Sequence, residues 1–208
     1  MNHLVLLGDS IFDNAAYTSG APDVVHQLRL QLPPGWRATL VAVDGGTTES
    51  VRDQLRSLPP DATHLIVSAG GNDALGHIDF LGAPVGSAAE ALLGLADIAA
   101  EFERNYHAMI TEMLAYGLPT ALCTIYYPRF PDATLQRVTV TALAVFNDCI
   151  IRAALMHGLP LLDLRFVCTE EGDYADPIEP SSRGGEKIAS AVVEMIERGS
   201  DSGWTATF

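Results

Sequence analysis

The sequence is short of positive charge, of cysteine and of long apolar runs, and each shortage closes off a class of function. Only 12 lysines and arginines stand against 26 aspartates and glutamates, a formal net charge of −14 over 208 residues. Such a field repels phosphate backbones and anionic lipid heads, so neither nucleic acid nor membrane is expected as a partner. The three cysteines, Cys123, Cys149 and Cys168, cannot all pair with one another, and none lies in a C-x-x-C. Buried structural thiols are expected, not a disulfide framework or a zinc site, and no other clustered metal-ligand pattern is present. The longest nearly apolar stretch, 89–100, is interrupted by Glu90 and Asp97 and is too short to span a bilayer. Met1-Asn2-His3 leads directly into Leu4 without a basic n-region or an apolar h-region, which sets the expectation of a cytoplasmic protein.

What is present suffices for a core. Hydrophobic residues make up 48% of the chain, which excludes general disorder, and the length fits one domain. Strand-like and helix-like segments alternate. Short aliphatic runs at 4–7, 38–43, 64–68, 119–124 and 160–164 read as strands. Helical spacing occupies 23–32, 48–58, 87–116, 133–156 and 181–198, with Pro33-Pro34 and Pro59-Pro60 as stops. Five parallel-type strands with intervening helices predict an α/β fold, a three-layer α/β/α sandwich on a five-stranded parallel sheet. No repeat or linker divides it, so 1–198 reads as a single domain and 199–208 as a loose C-terminal tail.

In such sheets function gathers beyond the carboxyl ends of the strands. Four loops there carry chemistry. The first holds Gly8-Asp9-Ser10, followed by Asp13-Asn14; the second Asp44-Gly45-Gly46-Thr47-Thr48; the third Gly70-Gly71-Asn72-Asp73; the last Asp176-Pro177-Ile178-Glu179-Pro180. A serine at a strand-to-loop turn is exposed on rigid backbone, glycines bring N–H groups close to a ligand oxygen, and an asparagine amide adds a donor. Together they compose a nucleophile with an oxyanion hole, the recipe for acyl transfer. A phosphate cradle is disfavoured, because no Gly-x-x-x-x-Gly-Lys occurs and the net charge opposes a phosphate. Asp9, Asp13, Asn14 and Asp73 read as residues that brace these loops, and Tyr126-Tyr127 as a pocket wall or core.

Four such blocks in order resemble the SGNH (GDSL-type) hydrolase superfamily, and the resemblance runs from about Leu4 to Ile196. It implies a flavodoxin-like sheet and an esterase or lipase-like activity on a small acyl ester, with no cofactor. It also implies Ser10 as nucleophile, and the Ser10 and Gly45 N–H groups with the Asn72 amide as oxyanion hole; Gly46 is the alternative to Gly45. Asp176 matches the triad acid.

The last block departs from the pattern, because Glu179 stands where the family has its catalytic histidine and no histidine follows His157. A free glutamate, with pKa ~4.3 against ~6.5 for imidazole, is the weaker base by roughly 3 kcal/mol. Burial and a second carboxylate both raise a carboxyl pKa, so Glu179 tuned upward by Asp176, the two sharing a proton, is the first expectation. His77, after Asn72, is an alternative base. His3, His26, His64, His107 and His157 read as structural. A third reading is a binding protein or pseudoenzyme on the same scaffold.

Overall fold

In the computed structural model, which describes residues 1–202, five strands form one parallel sheet. They are β1 (Asn2–Gly8), β2 (Trp36–Leu40), β3 (His64–Ser68), β4 (Thr120–Cys123) and β5 (Leu161–Leu162), in the order β2-β1-β3-β4-β5. The helices are α1 (Val24–Gln31), α2 (Thr48–Gln54), α3 (Gly71–Leu75), α4 (Ala88–Leu114), α5 (Ala133–His157) and α6 (Ser182–Ser202). Successive strand residues point to opposite faces, and that alternation sorts the core in two. Leu4, Leu6 and Ile66 pack with α1 and α6, while Val5, Leu7, Leu65 and Val67 pack with α2, α4 and α5. The predicted three-layer fold is the one found.

Several boundaries differ from the expected ones for physical reasons. The second strand ends at Leu40 instead of Val43, because the N–H groups of Val41 and Ala42 both donate to the Leu6 carbonyl and the ladder stops there. The fifth pairs over only two residues; beyond it Asp163 accepts from Arg165 N and starts a 3-10 turn, Leu164–Phe166. The closing helix runs through Ser202, so 199–202 are helical instead of the start of a loose tail, and 203–208 lie outside the described residues. Helix α5 is also long and apolar enough to cross a membrane by length and composition. Its Phe146, Cys149, Ile150 and Ala153 are buried in the core.

Helix starts follow their caps. Asp23, Thr47, Ser87 and Asp132 each accept a backbone N–H in the first turn of α1, α2, α4 and α5. The chain leaves β1 toward β2 on one side and reaches β3 on the other, so the crevice beyond β1 and β3 is the switch point of the sheet.

Candidate active site

Gly8 closes β1 with φ +120°, and a Cβ there would fall 1.7 Å from the Ser68 carbonyl oxygen. No side chain fits, and the bare backbone lets the chain turn sharply over the end of β3. Gln54 of α2 fixes the turn: its amide both accepts from Gly8 N and donates to Gly8 O at 2.8 Å. The next residues, Asp9 and Ser10, are thereby held at the switch point. Asp9 accepts the Ile11 N–H at 3.2 Å, the bracing role expected of it. The Ser10 N–H has no acceptor among the described residues.

The other loops converge on this turn. Asn72, in α3, donates one amide N–H to the Gly46 carbonyl at 3.0 Å, and its second amide hydrogen has no partner among the described residues. Asp73 accepts from Thr48 N at 3.1 Å and Thr48 Oγ1 at 2.6 Å, so it ties the third loop to the second. Asp13 accepts Asp44 N at 3.0 Å. The loop 174–180 is closed by an Ala175 N–H donated to Glu179 O at 2.9 Å. It is then pinned from three sides: Asn14 donates to Pro180 O at 3.1 Å, the Tyr126 hydroxyl to Ile178 O, and Arg129 N to Pro177 O at 2.7 Å.

The result is a cleft, partly open to solvent, that Asp9, Ser10, Asn72 and Glu179 all line. His77 lines it from an exposed position on the rim. Gly45 and Asp176 lie elsewhere. Gly45 is exposed, with φ +76°, on an adjoining depression shared with Asp44 and Asp53, and its N–H has no acceptor among the described residues. Gly46 is buried, and its N–H is spent on Val43 O at 2.9 Å. Asp176 is exposed and uses Oδ1 to accept Ile178 N at 2.9 Å and Glu179 N at 3.0 Å. Its carboxylate thus holds the backbone of Glu179, and its shared proton with the Glu179 carboxyl, expected from sequence, has no counterpart in these contacts.

Glu179 is the unusual group. It is 8% exposed, and its Oε2 has no hydrogen-bond partner among the described residues. Burial lifts its carboxyl from an ordinary 4.5 to about 7; the Ser10 hydroxyl pulls the other way, and the carboxylates of Asp44 and then Asp176 add to the rise. Loss of water is the largest effect, and Asp176, the tuning neighbour expected from the sequence, contributes after Asp44. Asp9 is likewise pushed by burial to about 7, against the Ile11 N–H and the Ser68 hydroxyl, with Glu179 adding repulsion. Two carboxyls that change charge near neutrality therefore flank one serine.

Gln54, Tyr126 and Arg129 carry this geometry and were not singled out as such in the sequence. Gln54 had one signal, a polar residue beside the apolar stripe of Val51 and Leu55. The remaining histidines lie outside the cleft lining: His3 bonds Thr39 at 2.7 Å, His26 its own cap Asp23, His64 Thr63 at 2.8 Å, and the His107 and His157 rings meet at a tilt with centroids 6.0 Å apart.

The GDSL-like Lipase/Acylhydrolase family profile matches residues 6–187. No curated protein matches in sequence. Similar solved structures include the lipase Lip_vut3 from a goat rumen metagenome, with TM-score 0.71 and 17% identity over 92% of this chain and 96% of that one. The extracellular lipase of Streptomyces rimosus gives 0.65 and 18% over 93% and 99%. The aryl esterase of M. smegmatis gives 0.67 and 14% over 95% and 99%.

Proposed function

Because the chain belongs to the GDSL-like lipase/acylhydrolase family, we propose that it hydrolyses carboxylic esters with Ser10 as nucleophile and Glu179 in the histidine's place as base. The observation that carries this reading is the buried Glu179 carboxyl beside Ser10, poised at about 7. A carboxyl raised to that range is as basic as an imidazole, so the deficit of a free glutamate is closed.

The steps follow from the donors. Glu179 takes the Ser10 proton as the hydroxyl oxygen attacks the ester carbonyl. The developing oxyanion is met by the Ser10 N–H and by the second amide hydrogen of Asn72, while Gly45, expected as a third donor, lies on the adjoining depression and is left out of the step. The protonated Glu179 then returns the proton to the leaving alcohol; in the second half water, deprotonated by the same carboxylate, attacks the acyl carbon, and Glu179 gives that proton to the Ser10 oxygen as the acid leaves. Asp176 acts as a positioning residue through the Ile178 and Glu179 N–H groups. No cofactor enters these steps. The setting we assign is cytoplasmic, the partner a small ester and neither nucleic acid nor membrane.

A pH–rate profile with p-nitrophenyl butyrate tests the assignment, alongside labelling by a serine-reactive phosphonate. The parent chain should gain activity as pH rises through about 7, as Glu179 ionises, and label at Ser10. Glu179→His should keep turnover with its limb near ~6.5. Undiminished activity in Glu179→Gln overturns the base assignment; complete loss in His77→Ala moves it to the rim histidine.

A further inference from the structure

Two loops gather acids on the Glu179 side of the cleft. In the first, Asp13 accepts Asp44 N at 3.0 Å, and the Tyr17 hydroxyl donates to Asp44 Oδ2 at 2.7 Å. Asn14, next to Asp13, donates to the carbonyl of Pro180, next to Glu179, at 3.1 Å, which sets the first loop against the one that carries Asp176. The Tyr17 proton is held more tightly than usual, first by its bond to Asp44, then by burial and the charges of Glu179, Asp44 and Asp176, so all three acids act on one ring. No basic group compensates them. Among the described residues none of Asp13, Asp44, Asp176 and Glu179 is ion-paired. Neither the cleft nor the depression beside it is lined by a lysine or arginine. Arg129 holds Pro177 O by its backbone, but its guanidinium turns to Thr169 O and lies over the Tyr174 ring. Lining the cleft beside this group, Glu179 is 8% exposed, and its Oε2 has no donor among the described residues.

Resting on the ester-hydrolase reading, we propose that this acidic rim receives the alcohol half of the substrate, and that the alcohol carries an ammonium group. The substrate class is then esters of small cationic alcohols. Glu179 hands its proton to the leaving oxygen, which puts that oxygen ~3 Å from the carboxyl. An ammonium two carbons farther along stays within ~8 Å of it, inside the ~10 Å over which exposed charges act at 0.1 M salt. One exposed carboxylate attracts a cation weakly, but Asp13, Asp44 and Asp176 have one sign and no competing partner, and the Tyr17 ring offers a face of the same polarity. The same groups repel a phosphorylated or carboxylated alcohol.

The test compares 2-(trimethylammonio)ethyl butyrate with 3,3-dimethylbutyl butyrate, its uncharged isostere, at a pH of about 8.5, where Glu179 is ionised. In the parent chain at low salt, kcat/KM should favour the cationic ester by about tenfold, and 1 M salt should remove most of that preference. Calorimetry on Ser10→Ala, which cannot form an acyl-enzyme, should show the same order of affinity, free of the difference between the two leaving groups. Asp44→Lys, at an exposed position, should bring both preferences to one or below. Equal binding of the two esters by Ser10→Ala, or a preference that survives Asp44→Lys, overturns the cationic-alcohol assignment. Hydrolysis of both esters at equal rates overturns it too and leaves the ester-hydrolase reading standing. Preferential binding of the cationic ester by a parent chain that hydrolyses neither supports the acidic rim and overturns only the catalytic reading.

Discussion

Asp173 and Glu179 are two buried carboxyls near the start of α6, 0% and 8% exposed, whose protons are held in opposite ways. Burial pushes both upward. At Asp173 that push is overcome by Lys187 at 2.7 Å and by the Glu170 and Thr169 N–H groups at 2.9 and 3.0 Å, so its pKa falls below the ordinary 3.8. Arg183 adds a cation at 3.5 Å. At Glu179 no cation contributes; the Ser10 hydroxyl is the one group that lowers the pKa, and the carboxyl rises to about 7. The contrast teaches that the charge state of a buried acid is set by its donors and not by its depth. Lys187, the only lysine in the sequence, is spent on the structural one.

Neutralising each acid in turn is the strongest way to break the comparison. Glu179→Gln should lower kcat for p-nitrophenyl butyrate by ~10²–10⁴-fold, the usual worth of a general base, with the far-ultraviolet dichroism unchanged. Asp173→Asn should leave kcat per folded molecule within about twofold of the parent. It should instead lower the urea midpoint at constant slope, by about 2 kcal/mol of stability, because an amide cannot accept from Lys187 and both N–H groups as a carboxylate does. Equal losses of kcat in the two variants would erase the distinction drawn here.

Stability against pH separates the two acids in sign. The folded Glu179 binds its proton more tightly than the unfolded chain does, so between 4.5 and about 7 the native state loses stability as pH rises, and the full penalty applies above 7. Asp173 contributes stability that is present above 3.8 and lost as pH falls below it. Denaturant titrations should therefore show Glu179→Gln gaining on the order of 2 kcal/mol over the parent at pH 8.5, after allowance for screening, and nothing at pH 4. A residual slope persists, because Asp9 is also raised to about 7. A parent chain whose stability is flat between pH 4.5 and 8 would remove the basis for a poised Glu179.

How much of this was legible beforehand depends on the range of the interaction. The sheet, its order of elements and the four loops are local in origin: aliphatic runs make the strands, proline pairs stop two helices, and Gly8 marks the first turn. The convergence of Ser10, Asn72 and Glu179 at the switch point follows from that topology. What the sequence left out is carried by side chains that reach far along the chain, such as Gln54 to Gly8, Asn14 to Pro180 and Lys187 to Asp173. Residue spacing holds no trace of such pairs. The cause of the Glu179 shift escapes the sequence for the same reason: Asp176 is near in sequence, whereas burial is a property of the assembled cleft.

The finest adjustment of the Glu179 carboxyl comes from charges that do not touch it. Asp44 is exposed, yet after burial it is the first of the charges that raise Glu179. Asp44→Asn should shift the acid limb of the rate profile downward by ~0.3 pH unit, since an exposed charge is worth a few tenths of a kcal/mol, and the shift should fade in 1 M salt. Asp176 acts differently although its charge pushes the same way. Asp176→Asn keeps an oxygen able to accept the Ile178 and Glu179 N–H groups, and should behave like Asp44→Asn. Asp176→Ala removes that acceptor and should lower kcat as well, by loosening the backbone that aims Glu179 at Ser10. A limb that stays put in Asp44→Asn at low salt would leave burial as the sole tuning of the carboxyl, and equal kcat in the two Asp176 variants would reduce that residue to a surface charge.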